Sequence, residues 1–194
     1  MPEGDGSRIL ASDFDGTVVG TNTFPHFVRF LARQLWRSRR LPALLGLLAV
    51  VALRKVRLAG HHHLKAVVCR LGATVADHEV AEWARSVLDR HSHPEVVEMI
   101  DRWPGRTILT TAAPEVYAVH FARLLGIPEV HGSVVQGWRL TNNESEAKVV
   151  RLRAAGADRL AVFITDDLVV DAPVAALAAR VHEVRAGGSV REVA

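Results

Sequence analysis

The sequence predicts an α/β protein whose doubly wound, mostly parallel sheet is interrupted by an inserted all-helical segment. After residue 106, short apolar strands alternate with amphipathic helices, a pattern typical of a parallel sheet covered on both faces. Between residues 18 and 92, helical periodicity continues without a strand. We therefore predict a core domain formed by residues 1–17 and 93–194 and a helical cap formed by residues 18–92.

Size and composition set the first limits. The chain has 194 residues, of which 49% are hydrophobic and 23% charged, as expected of a folded protein with one sizeable core. Its single cysteine, Cys69, excludes an internal disulfide and lies at an apolar position, which predicts a core residue and not a nucleophile. The first six residues are polar and do not resemble a signal peptide, so we expect a cytoplasmic protein.

The first predicted strand, residues 9–11, is followed at once by two acidic residues, Asp13 and Asp15. Because strand side chains alternate, both carboxylates point to the same side, and Gly16 then lets the backbone turn tightly or approach a ligand. The pair predicts a site for a cation, a phosphoryl group, or both. The alternative is a solvated turn, since Asp and Gly are common turn residues.

The cap has an unusual charge pattern. No Asp or Glu occurs from Gly16 to Ala76, although the formal net charge of the whole chain is only +3. The basic residues of that span are Arg29, Arg33, Arg37, Arg39, Arg40, Arg54, Lys55, Arg57, Lys65 and Arg70. Such a segment predicts a polyanionic partner, namely nucleic acid, a phosphorylated substrate or an anionic membrane surface.

Residues 24–40 have the pattern of a helix with one apolar and one basic stripe, and residues 41–53 contain no charge. At ~1.5 Å per residue, the second helix would cover about 20 Å, less than the ~30 Å hydrocarbon core of a bilayer. We expect a buried cap helix; the alternative is an interfacial segment that dips into a membrane. The three histidines at 61–63 would point in three directions along a helix, so we expect no metal site there.

The second half of the chain places polar residues where predicted strands end. The predicted elements are a strand at 107–110, a helix at 114–125, a hairpin at 129–140, a helix at 144–154, a strand at 160–164, a helix at 171–179 and a final edge strand at 181–184, followed by a loose tail. In such sheets the ligand lies beyond the carboxyl ends of the strands. Those ends carry Thr111, Asp166 and Asp167, with Lys148 and Asp171 on the helices nearby. Hydroxyls, amides and lysine hold phosphate oxygens and carboxylates hold Mg²⁺, so the set fits phosphoryl transfer.

These residues resemble the motifs of the haloacid-dehalogenase-like (HAD) superfamily, in its phosphoserine-phosphatase-like branch. Residues 13–17 fit the Asp-x-Asp-Gly-Thr signature, and residues 111–115 resemble the second motif, with Thr111 as its phosphate-binding hydroxyl. Lys148 resembles the third motif and residues 166–171 the fourth. The resemblance covers residues 9–184 and implies a Rossmann-like core with a helical cap after the first motif.

The resemblance also implies roles. Asp13 would be the nucleophile that forms an aspartyl-phosphate, and Asp15 the general acid and base, with a pKa above the ordinary ~3.9. Lys148 and Thr111 would offset charge on the transferring group. Mg²⁺ would be held by Asp13, the backbone carbonyl of Asp15, and Asp167 (or Asp166 in its place), with Asp171 in support. The expected substrate contacts are Gly16, Thr17, Ala112, Arg29 and Arg33.

The cap governs the expected substrate. It is similar to the cap of bacterial phosphatidylglycerophosphate phosphatases, which implies a lipid or other amphiphilic phosphate and peripheral contact with an anionic membrane. The alternative is a small soluble phosphomonoester such as phosphoserine or a sugar phosphate. The acid at Asp15 disfavours dehalogenation. A nucleic-acid-binding module lacks a recognisable motif here, and a catalytically degenerate scaffold is the remaining rival.

Overall fold

A computed structural model of the protein describes residues 8–193. Its strands are β1 (Ile9–Ser12), β2 (Arg106–Pro114), β3 (Glu129–Gln136), β4 (Arg139–Thr141), β5 (Leu160–Thr165), β6 (Ala178–Val184) and β7 (Val190–Glu192). They form one seven-stranded sheet in the order β4-β3-β2-β1-β5-β6-β7, with β4 and β7 antiparallel to a parallel centre. The predicted α/β fold class is confirmed.

Five helices connect β1 to β2. They are α1 (Thr23–Arg37), α2 (Leu41–Lys55), α3 (His61–Gly72), α4 (Asp77–His91) and α5 (Pro94–Asp101). The later helices are α6 (Glu115–Leu124), α7 (Glu146–Ala154) and the short α8 (Ala172–Ala175). Because β2 lies on one side of β1 and β5 on the other, the strand order reverses at β1. A ligand is expected in the crevice at such a reversal.

The central strand fixes the two loops that flank this crevice. Every residue of β1 is buried, because both faces of a central parallel strand are covered. Ser12 pairs with Leu109 on one side and with Ile164 on the other. The Asp13 amide then donates to the Ile164 carbonyl at 2.9 Å. The loops that follow β1 and β5 therefore leave the same edge of the sheet side by side.

One aromatic cluster joins the cap helices to the core. The ring centroids of Phe27 on α1 and Tyr117 on α6 are 4.6 Å apart, and those of Trp83 on α4 and Phe121 on α6 are 5.4 Å apart. Phe14, just after β1, lies 4.7 Å from Phe121. Full burial of one such side chain stabilises a fold by about 1.5–3 kcal/mol. The cluster therefore holds α1 and α4 against the core beside the first acidic residues.

The carboxyl end of the chain differs from the prediction. Val181–Val184 is not an edge strand and residues 187–189 are not a loose tail, because β7 pairs antiparallel with β6. The turn between them is closed by the Gly188 amide, which donates to the Arg185 carbonyl at 2.8 Å. Gly187 and Gly188 have φ of 93° and 85°, values that only glycine adopts freely. The glycines that suggested a tail supply the hairpin turn.

Two predicted boundaries are also wrong. Strand β2 continues through Pro114, so α6 begins at Glu115, after a shift in register between Thr110 and Pro114 on the β3 side. The helix expected over residues 171–179 is only α8, because the chain is already extended at Ala178, where β6 begins.

The uncharged helix α2 is the largest departure from the sequence prediction. A helix that is apolar all round is usually buried. Here Leu47 is the only fully buried residue of α2, and Leu41, Leu45 and Leu48 on its other side face solvent. The buried-helix interpretation is therefore wrong. Within residues 8–193, no helix combines the length and the hydropathy needed to cross a membrane.

Candidate active site

Lys148 bridges two carboxylates at the centre of the site. Its Nζ lies 2.9 Å from Asp13 Oδ1 and 2.7 Å from Asp171 Oδ1. The side chains of Lys148 and Asp171 are 3% and 2% exposed, whereas that of Asp13 retains 14%. Burial lowers the pKa of Lys148, but the two carboxylates outweigh it and hold that pKa above the ordinary value. Lys148 therefore stays charged, and Asp13 is the member of the three that a ligand reaches.

Asp13 and Asp171 are held by different elements. Burial raises the pKa of Asp13, the Lys148 ammonium opposes this, and Asp171 adds to it by repulsion. Asp171 precedes α8 and accepts a hydrogen bond of 2.8 Å from the Thr165 hydroxyl at the end of β5. The structure thus brings the predicted first, third and fourth motifs into direct contact.

Asp15 is held at the start of the cap. Its Oδ1 accepts a hydrogen bond of 2.9 Å from the Thr23 amide in the first turn of α1. Burial raises the pKa of Asp15 to about 6, against the hydrogen bonds from Thr23. Repulsion from Asp166 contributes to this raised pKa, and Lys65 opposes it. The expectation of a raised pKa is confirmed, and a carboxyl group with this pKa gives and takes protons near neutral pH.

Gly16 and Thr17 join the loop after β1 to the loop after β5. Gly16 has φ of +83°, and a Cβ there would lie 2.0 Å from Asp166 Oδ2. The Thr17 hydroxyl donates to Asp166 Oδ1 at 2.8 Å and accepts from the Asp166 amide at 2.9 Å. Thr17 is fully buried, so its contacts place it between the two loops, and its predicted role in substrate binding remains a prediction.

The two neighbouring acids of the fourth motif have different surroundings. Asp167 Oδ1 accepts hydrogen bonds from the Val169 and Val170 amides at 3.0 and 2.9 Å, so this carboxylate caps its own loop. The Asp166 carboxylate instead lies against Gly16 and close enough to raise the pKa of Asp15. The Asp166 carboxylate, and not that of Asp167, therefore lies beside the first acidic loop, and which of the two would hold a metal ion remains a prediction.

The second motif occupies the end of β2. The buried Thr111 hydroxyl accepts a hydrogen bond of 3.0 Å from the Ala113 amide, and α6 begins four residues after Thr111. The Ala112 carbonyl accepts from Lys65 Nζ at 2.8 Å and from the Ser133 hydroxyl at 2.7 Å. The end of β2 is adjacent to Asp13 across the β1–β2 pair, as predicted, but Thr111 does not lie at the helix terminus.

Lys65 is the cap residue that the sequence reasoning missed. It is 5% exposed, and besides Ala112 its Nζ contacts Asn142 Oδ1 at 2.6 Å. Asn143, also missed, donates to the His131 carbonyl at 2.7 Å and to the Thr111 carbonyl at 3.2 Å. A signal for Lys65 existed: it shares the apolar face of α3 with Val68 and Gly72, where a lysine needs a specific partner.

The predicted cap arginines lie elsewhere. Arg29 and Arg33 are exposed on α1, and Arg33 lines a groove between α1 and α2. Within residues 8–193, neither forms a hydrogen bond or an ion pair with the acidic residues of the site. Their expected role in substrate binding at this site has no geometric support, because successive arginines of the basic stripe follow the outer face of α1.

His61, His62 and His63 are all exposed, and Cys69 is buried with a pKa that burial raises to about 11. Such a thiol is a poor nucleophile, as expected. Among the residues that the structure describes, no group of three or more His, Cys, Asp or Glu side chains is arranged to hold a metal ion.

A Mg²⁺ site needs fewer protein side chains than such a group contains. Mg²⁺ in phosphoryl-transfer sites is bound by one or two carboxylates, with water and substrate phosphate completing its shell. Asp13 and Asp166 supply carboxylates from the adjacent loops that follow β1 and β5. The Asp15 carbonyl lies in the first of these loops. Burial raises the pKa of Asp13 even beside Lys148, so a further cation next to this carboxylate would favour its charged form. These residues fit Mg²⁺.

The haloacid dehalogenase-like hydrolase family matches residues 10–176 of this sequence. The match includes both acidic loops, Lys148 and the whole cap, and the chain belongs to this family.

Similar proteins are found both by sequence and by structure. Protein CicA of Caulobacter vibrioides is 27% identical over 162 residues, which cover 75% of this chain and 71% of the relative. A Bordetella pertussis Tohama I protein of unknown function has a similar structure, with a TM-score of 0.65, 18% identity, and coverage of 90% of this chain and 89% of its own. A phosphoserine phosphohydrolase-like protein from Francisella tularensis also has a similar structure, with a TM-score of 0.53 and 12% identity. The match covers 90% of this chain and 85% of the Francisella protein. At these identities the two structures show a shared fold.

Proposed function

We propose that this protein is a Mg²⁺-dependent phosphatase that hydrolyses a phosphomonoester through an aspartyl-phosphate on Asp13. The observation that carries the proposal is the Asp13–Lys148–Asp171 cluster at the point where the strand order reverses. Two of its members are sealed from solvent, while Asp13 keeps an accessible carboxylate beside a fixed positive charge. A buried cation next to a reachable carboxylate suits attack on a phosphoryl group.

The proposed reaction has two steps. An Asp13 oxygen attacks phosphorus as the bond to the leaving oxygen breaks, and the carboxyl group of Asp15 gives that oxygen its proton. In the second step Asp15, now a carboxylate, takes a proton from water as the water oxygen attacks phosphorus and releases Asp13. A pKa of about 6 lets Asp15 serve in both directions.

The remaining residues hold charge in place. Lys148 keeps Asp13 oriented, and the Thr111 hydroxyl, which accepts from the Ala113 amide, keeps its own proton to donate to a phosphate oxygen. Asp13, the Asp15 carbonyl and Asp166 would hold Mg²⁺, with Asp171 reaching Asp13 through Lys148. When bound, the ion supplies positive charge that offsets the developing charge on the phosphoryl oxygens.

For the substrate we propose a lipid or other amphiphilic phosphate, met at the cytoplasmic face of a membrane. The support comes from the cap, where exposed leucines of α2 lie between exposed basic residues. The second candidate is a small soluble phosphomonoester, suggested by the fold shared with the phosphoserine phosphohydrolase-like protein.

The experiment is a phosphatase screen with wild type and Asp13→Asn in the presence of Mg²⁺. The substrates are p-nitrophenyl phosphate, phosphoserine, sugar phosphates and vesicles containing phosphatidylglycerophosphate. We expect turnover that falls by at least about a thousandfold in Asp13→Asn, since the nucleophile is lost. The screen also includes Asp166→Asn, which removes the proposed metal ligand. Asp167→Asn is its matched control and is expected to retain more activity.

Each outcome separates the candidates. Preference for the vesicles supports the amphiphilic substrate, and preference for phosphoserine supports the soluble one. Equal turnover by wild type and Asp13→Asn would refute the mechanism. If no substrate is turned over and Mg²⁺ with beryllium fluoride does not bind, the chain is a catalytically degenerate scaffold.

A further inference from the structure

Helix α2 exposes a continuous apolar face. Leu41, Leu45, Leu48 and Ala52 recur at helical spacing, so they form one stripe, here called the α2 apolar face. All four are exposed, with Leu45 at 66%. The opposite side of the helix carries the buried Leu47 and packs on the cap. The exposed stripe therefore contributes nothing to the core.

The exposed apolar residues are concentrated around this face. Of the twelve exposed large hydrophobic side chains within residues 8–193, seven fall between residues 36 and 58. Those outside the stripe are Trp36, Leu53, Val56 and Leu58. Single exposed apolar residues are normal, but a contiguous patch marks an interaction surface.

Basic residues flank the face at both ends. Arg37, Arg39 and Arg40 precede α2, Arg54 and Lys55 lie in its last turn, and Arg57 follows it; all six are exposed. The span from Gly16 to Ala76 contains no acid, and Glu79 lines a pocket with Arg37 and Arg40 without forming an ion pair with either. An apolar stripe between two basic clusters complements a surface that is anionic outside and apolar within.

A groove beside the face has matching chemistry. It lies between α1 and α2, has a volume of ≈ 610 Å³, and is lined by Ala32, Arg33, Trp36, Arg37, Leu44 and Leu48. Its floor is mostly apolar, and two guanidinium groups lie among its walls. A tryptophan beside an apolar groove is typical of the membrane interface, where its ring meets both apolar and polar surroundings.

We propose that the α2 apolar face and its flanking basic residues dock this protein on anionic lipid membranes. A second copy of the chain is a poorer occupant, because it would bring two strongly basic caps together. Docking itself does not depend on catalysis. It deepens the proposed function, and it rests on that function only where a lipid phosphate is taken as the substrate.

The docking surface is also connected to the site. Helix α3 follows α2 directly, and its Lys65 reaches the Ala112 carbonyl at the end of β2. The helix on which a membrane would lie therefore packs against α3, the cap helix that contacts the end of β2.

The test measures binding of full-length Asp13→Asn protein to vesicles by co-sedimentation, so that no turnover intervenes. We expect binding to phosphatidylcholine vesicles that contain phosphatidylglycerol, and weaker binding without it or at high salt. Leu45→Asp with Leu48→Asp should weaken binding at least about tenfold, since each leucine loses its insertion into lipid. Val150→Asp is the matched control, because Val150 is also 66% exposed but lies on α7.

Removing Arg54 or Lys55 should weaken binding by roughly fivefold each, the effect of about 1 kcal/mol per basic residue near an anionic surface. Absence of binding to the anionic vesicles would overturn the docking proposal and leave the phosphatase proposal intact, because p-nitrophenyl phosphate turnover tests that separately. Equal binding by the leucine variant would also overturn it. So would a wild-type dimer in light scattering that Leu45→Asp converts to a monomer, since α2 would then cover a second copy.

Discussion

The Lys148 cluster near the carboxyl ends of the strands and the cap helix α2 both depart from the usual rules of burial, in opposite ways. In the cluster, Lys148 and Asp171 are charged and almost fully buried. On α2, leucines with no polar atoms face solvent. Burying charge and exposing contiguous apolar surface are both unfavourable for an isolated protein. The chain therefore departs from the usual burial pattern at two places, the Lys148 cluster proposed for catalysis and the α2 apolar face proposed for docking.

The largest expected effect comes from removing the buried cation. Lys148→Met leaves Asp13 and Asp171 without their common partner, and we expect the free energy of unfolding at pH 8 to fall by about 3–5 kcal/mol. Urea unfolding measures it, with Lys55→Met on α2 as the exposed control, expected within about 0.5 kcal/mol of wild type. Similar stability of the two variants would contradict the buried position of Lys148 between its two carboxylates.

The next effect compares one glycine from each region. Gly16→Ala places a methyl group against the Asp166 carboxylate at positive φ, and should cost about 2–3 kcal/mol. Gly46→Ala on α2 meets nothing within 4 Å and should stabilise the protein by about 0.5–1 kcal/mol. Thermal unfolding of both variants measures the contrast. A neutral Gly16→Ala would contradict the close approach of the two loops.

Lys65 tests whether the cap and the site act together. Lys65→Met loses the contacts with Ala112 and Asn142, and we expect a destabilisation of about 1–2 kcal/mol. In the phosphatase assay, KM should rise or kcat fall by about tenfold, because the end of β2 loses its anchor. Lys55→Met is again the control. Unchanged kinetics would mean that Lys65 only holds the cap in place.

The smallest effect is a change in pH dependence. The pKa of Asp15 is raised from 3.8 to about 6 in the folded protein, so the fold binds this proton more tightly than the unfolded chain. Its contribution is therefore complete below pH 3.8 and is lost as the pH rises through 6. In EDTA, Asp15→Asn should lose less stability than wild type over this interval, by about 1–2 kcal/mol. Parallel pH curves for the two proteins in urea unfolding would contradict the buried acid.

The sequence predicted much of the site because its signals are local. Asp13 and Asp15 follow an apolar strand directly, and Thr111 and Asp166 lie in recognisable motifs where the later strands were predicted to end. A parallel sheet brings such ends to one edge, so the order of elements sufficed to place these residues near each other. Lys65 and Asn143 were missed because their partners lie far away in sequence.

By itself, the sequence determined the α/β fold, the cap inserted after the first acidic loop, and the acids at the strand ends, since each depends on periodicity or on neighbouring residues. Only the tertiary structure decided that Asp166 faces the first loop while Asp167 caps its own, that Lys65 is the cap residue at the site, and that α2 lies on the surface. Which neighbours a side chain meets depends on how distant segments pack. The sequence of residues 41–53 therefore predicts a buried helix, whereas in the folded protein one face of this helix is exposed.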